Sequence, residues 1–113
     1  MAAPGVRGKY KTAQLTLAAA GTQVIEAAVV GQRITVVHFV VSNSAATALP
    51  SFESSAATVL AGPFNVAVDG SVGSNGSTDD PLFWTAVGEG LTFRTAGAGL
   101  AKGFITYLAE TSL

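Results

Sequence analysis

The sequence predicts an all-β protein, an antiparallel β-sandwich, and three observations carry that prediction. From Tyr10 to Glu110, apolar and polar residues alternate in short runs with a period of two. Gly, Ala, Ser and Asn separate these runs at roughly ten-residue intervals. No stretch repeats its apolar residues every 3.6 positions; residues 18–20 and 55–58 have helix-compatible composition but lack that repeat.

Residues 1–9 hold Pro4, Gly5 and Gly8 without periodicity and are expected to form a flexible arm, leaving residues 10–113 as a single sandwich domain. Tyr10 opens the first strand, with Lys11, Ala13, Leu15 and Leu17 on one face and Tyr10, Thr12, Gln14 and Thr16 on the other. A turn is expected at Gly21. Residues 23–30 alternate again, placing Ile25, Ala27 and Val29 inward and Glu26 outward before a turn at Gly31-Gln32.

Residues 33–42 make the strongest strand signal. Ile34, Val36 and Val40 share a face with His38, and Val37, Phe39 and Val41 take the other. With both faces apolar, the strand is central in a sandwich or covered outside by a partner. Residues 49–53 read as a short strand, placed at an edge by Pro50. Residues 58–60 and 64–68 flank Gly62-Pro63, with Phe64, Val66 and Val68 pointing one way. The polar run DGSVGSNGSTDD, residues 69–80, reads as a solvent-exposed loop. Residues 82–87, 91–95 and 102–109 close the chain as strands. About eight strands without a Cys–Trp–Cys pattern favour a jelly roll over an immunoglobulin-like sandwich.

At 113 residues the chain has room for one core. Hydrophobic residues make up 49% and charged ones only 12%, against about 25% charged in ordinary soluble domains. A small domain cannot hide that much apolar surface inside itself, so part of it is expected to be covered by neighbouring subunits. Arg7, Lys9 and Lys11 supply half of the six cations. The remaining three face seven carboxylates, a net of −4 on the body. A basic arm on a mildly acidic body suits docking on an acidic neighbour, or is an ordinary solvated terminus. A net charge of −1 gives no field to attract nucleic acid or an anionic membrane. The longest apolar stretch, residues 34–41, is too short to span a bilayer, and the N-terminus lacks a signal-peptide core; synthesis in a cytoplasm is expected.

Few residues can do chemistry, and no catalytic residue, cofactor or metal site is expected. Cysteine is absent, which removes thiol nucleophiles and thiolate metal sites. His38, the single imidazole, has no local nucleophile or carboxylate beside it and reads as a structural histidine, bonded to backbone or buried at an interface. Asp69 and Asp80 stand at the ends of a twelve-residue stretch, yet Ser74 occupies the position where a calcium loop needs Gly, and Gly73 that of a ligand. The neighbouring carboxylates Asp79-Asp80 suit an interfacial calcium at most. Phe83 and Trp84 must point to opposite faces of their strand; Phe83 is assigned to the core and Trp84 to a contact surface.

The segment PLFWTAVGEGLTFRT at residues 81–95, followed by GFITY at 103–107, resembles small β-sandwich proteins from the structural gene clusters of tailed bacteriophages. Tyr10-Lys11-Thr12 and the run GQRITV at 31–36 are similar to the first half of such proteins. The resemblance covers most of residues 10–110. It implies a jelly-roll-like virion structural protein, a capsid decoration (cement) or head–tail accessory component. It further implies homo-oligomers, commonly trimers, seated on a major capsid protein. The interface candidates are Val6, Arg7, Lys9, Tyr10 and Lys11 in and beside the arm, together with Trp84. The alternative is a carbohydrate- or receptor-binding module of a tail or fibre that uses Trp84 and the loop at 69–80.

Overall fold

The computed structural model describes residues 10–44, 49–66, 69–77, 79–97 and 100–111. The strands are β1 (Tyr10–Leu17), β2 (Gly21–Glu26), β3 (Gln32–Asn43), β4 (Pro50–Ser54), β5 (Val59–Ala61), β6 (Gly70–Asn75), β7 (Phe83–Trp84), β8 (Leu91–Thr95) and β9 (Ala101–Thr111). No helix occurs among the described residues. One antiparallel sheet runs β1-β9-β3-β6, with the two-residue β7 also paired to β3; the second runs β2-β8-β4-β5. With β7 set aside, the chain winds back and forth so that each four-stranded sheet mixes early and late strands. That interleaving is a jelly roll.

The inner faces meet in an aromatic core. Phe52 of β4 is fully buried, with ring centroids 5.1 Å from Phe39, 5.5 Å from Phe83 and 5.4 Å from Phe93. It therefore joins the two sheets at their centre. Leu15, Ile34, Val41, Leu91 and Ile105 complete the layer around it.

Several strand expectations change. In β3 a β-bulge between Val36 and His38 inserts Val37 as an extra residue and reverses the alternation. Ile34 and Val36 enter the core before the bulge, Phe39 and Val41 after it, and His38 and Val40 lie on the outer face. β4 is not an edge: it sits between β8 and β5 with all five residues buried. Pro50 is tolerated because it opens the strand. Residues 69–80 are not one loop, since β6 pairs with β3 from His38↔Asn75 to Asn43↔Gly70. Residues 82–87 shrink to β7, and after Gly62-Pro63 the residues Phe64 to Val66 belong to no strand, although Val66 is buried. Val68, expected to line up with them, lies outside the described residues.

Two side chains lock the sandwich along the β1 side. Gln23 of β2 donates from Nε2 to the Gln14 carbonyl at 2.8 Å and accepts the Thr16 N–H at 2.9 Å. This occupies backbone groups that an open edge strand would leave unpaired. Tyr107 donates its hydroxyl to Glu26 Oε1 at 2.8 Å, and Lys11 Nζ lies 3.5 Å from the same oxygen. Burial first, and then the Glu26 carboxylate, push the phenol well above its usual range and keep it protonated.

Candidate interaction surfaces

The connections after β2, β4 and β7 meet at one end of the sandwich and are knitted together through their backbones. Gln32 donates to the Val29 carbonyl at 3.0 Å, closing a turn with Gly31 at φ 80°. Glu89 donates to Ala86 at 3.1 Å around Gly88 at φ 89°. Both turns place glycine where a left-handed backbone is required. Gly88 N–H reaches the Gln32 carbonyl at 2.8 Å, joining the two turns. Gly90 links the third connection: it accepts the Ser55 N–H at 3.0 Å and donates to Ser55 Oγ at 2.9 Å. A Cβ on Gly90 would collide with the Glu26 carbonyl and lie 2.7 Å from Ala28 N, so the β2 exit packs directly on this glycine.

This ordered frame holds apolar side chains out in solvent. Val30 is 98% exposed, and Val29 and Val87 are each 49% exposed. Ala27, Ala28, Ala56 and Ala86 are exposed beside them. The expectation that Ala27 and Val29 point inward is thereby overturned: β2 ends at Glu26, and the rest of the run is loop. A sequence signal was present. Four consecutive apolar residues, Ala27 to Val30, break the period-two pattern and cannot be buried on one face.

The same end carries two of the interface candidates. Across sheet one, register aligns Tyr10, Leu108, Thr35 and Trp84 on neighbouring strands. Leu108 is buried, while Tyr10 and Trp84 flank it at 53% and 52% exposure. Phe83 is buried in the core, on the opposite side of the sheet from Trp84. Lys11, half exposed, pairs with Glu26 of the same chain at 3.5 Å. Val6, Arg7 and Lys9 lie outside the described residues.

The opposite end is polar. A depression of about 370 Å³ is lined by Gln14, Thr16, Ser42, Lys102 and Phe104, together with Leu15 and Gly103. A neighbouring one of about 260 Å³ shares Ser42 and Lys102 and extends to Asn43, Ser44, Asp69 and Leu100. His38 is not bonded to backbone here: its Nδ1 lies 2.9 Å from Asn75 Oδ1, and its ring stacks on Phe104 at 5.3 Å and 17°. Asp69 precedes β6, whereas the Asp80 backbone folds back against Gly76 just past the far end of that strand, about 20 Å away for six extended residues. The two carboxylates therefore do not enclose a common cation.

No known protein family matches the chain, and no characterised protein matches it in sequence.

Proposed function

We propose that this protein is a virion structural component, a decoration protein that binds the outside of a tailed-phage capsid and bridges its subunits. The observation that carries the reading is the apolar end: Val29, Val30 and Val87 held outward on hydrogen-bonded turns, beside Tyr10 and Trp84. The exposed part of these valines contributes nothing to folding, and each square ångström of it buried against a partner is worth about 25 cal/mol. The resemblance of residues 81–95 and 103–107 to phage sandwich proteins supplies the partner, a major capsid protein. Association into a homo-oligomer, with three copies favoured, would multiply such contacts into avid attachment. Tyr10 opens β1 at this end, so the basic segment before it would add Arg7 and Lys9 to the same contact.

Sedimentation with empty phage heads tests the proposal. The wild-type protein is expected to co-sediment, and the double variant Val30→Asp, Val87→Asp to stay in the supernatant with its melting temperature unchanged. No co-sedimentation of the wild type, or equal occupancy by the double variant, would reject it.

A further inference from the structure

We propose that the polar end of the sandwich is a saccharide-binding site built on Phe104 and Lys102. This proposal stands independently of the docking role assigned to the apolar end. Phe104 is 39% exposed on the outer face of sheet one. One side of its ring is fixed by the parallel His38 ring, which Asn75 tethers in turn. Phe104 also borders the larger depression, so an immobilised aromatic surface faces a space of about 370 Å³. That space is of the size that small-molecule sites occupy.

The groups around it match a hydroxyl-rich ring. Beyond the backbone clamp from Gln23, the side chains of Gln14 and Thr16 make no hydrogen bond among the described residues. Lys102 likewise forms no ion pair among them, whereas Lys11 and Arg94 are both paired. The depression therefore offers a free ammonium donor, a hydroxyl, and an amide that both donates and accepts. Asp69, in the adjoining hollow, adds a carboxylate acceptor. A pyranose presents an electropositive C–H face that packs on the negative face of an aromatic ring, and a rim of hydroxyls that such groups bond. A phosphate-rich polymer fits poorly, since one cation beside a carboxylate supplies little of the charge that nucleic acid requires.

The site is preorganised, which lowers the cost of ordering on binding. Gln23 clamps the β1 backbone at Gln14 and Thr16, and Gly103 lets β9 approach β3 so closely that any Cβ there would strike the Val40 carbonyl.

Saturation-transfer NMR and calorimetric titration of the full chain test the proposal with lactose, cellotriose, chitotriose and trigalacturonate as probes. At least one is expected to bind at millimolar concentration or below. Phe104→Ala should weaken that binding about tenfold, equivalent to about 1.4 kcal/mol. Lys102→Gln should weaken it severalfold, and Val30→Asp should leave it unchanged. If Phe104→Ala does not fold, the pair Lys102→Gln, Thr16→Ala carries the same expectation. No binding by any probe, binding that survives these substitutions, or binding lost only with Val30→Asp would overturn the proposal. Failure of the capsid assay alone would leave it standing.

Discussion

The two ends of this sandwich present opposite surfaces. At one end Gly31, Gly88 and Gly90 bind three connections into a frame that exposes Val29, Val30 and Val87. At the other, Ser42, Asp69 and Lys102 line polar hollows beside Phe104. Sheet strands run from one end to the other, so the difference is not one of stability. It lies in what the side chains can still bind once the backbone is satisfied. The apolar end has spare apolar surface on a hydrogen-bonded frame, which suits a protein partner. The polar end has spare donors and acceptors around a single ring, which suits a small polar ligand.

If that comparison is right, damage to the shared core must affect both ends, and damage at one end must stay there. Phe52→Ala is expected to cost about 3–5 kcal/mol, because it empties the contact joining both sheets. Hydrogen exchange should then accelerate together at Gln32 and at Ser44; protection retained at one end would show that the two unfold independently.

Tyr107→Phe comes next. It removes the hydroxyl donated to Glu26 beneath the apolar end, with an expected loss of about 1.5–3 kcal/mol at neutral pH, the range for a bond to a charged group. The sign with pH follows from the raised phenol. In the unfolded chain it ionises near pH 10, whereas in the folded protein it resists. Its contribution is therefore complete below pH 10 and is lost as pH climbs toward the folded value. Denaturant titrations should show the gap between wild type and Tyr107→Phe shrinking above pH 10. A gap that widens there would contradict the burial argument.

Gly90→Ala is expected to cost about 1–3 kcal/mol by forcing the β2 exit away from β8. Exchange should quicken at Gln32 and Gly88 while Ser44 keeps its protection, and capsid attachment should fall while saccharide binding does not. Equal loosening at both ends would break the distinction between them.

Much of the fold was legible because period-two alternation records burial on one side of a sheet. Residues 10–17 and 91–95 were read with the bounds they have. The errors arose where alternation was interrupted or absent. Val37 is indistinguishable in sequence from its neighbours, yet as the bulged residue it moves His38 to the outer face and Phe39 to the core. The segment GSVGSN has one apolar side chain, Val72, and is a strand only because the β3 edge offers it hydrogen bonds. The candidate surfaces were harder still. Trp84 was singled out as a contact residue, and the unbroken apolar run at 27–30 marked Val30 as out of pattern, but Phe104 carries an ordinary strand residue's identity, and only its position makes it a candidate contact.

The sequence by itself determined an all-β sandwich, a shortage of reactive groups, and more apolar residues than one small core can absorb, because composition and periodicity depend on local burial. The tertiary structure alone decided where the surplus went and what faces it. Strand pairing, the bulge in β3 and the convergence of three loops on Gly90 are contacts between residues far apart in the chain. No local pattern encodes them, and they set one end apolar and the other polar.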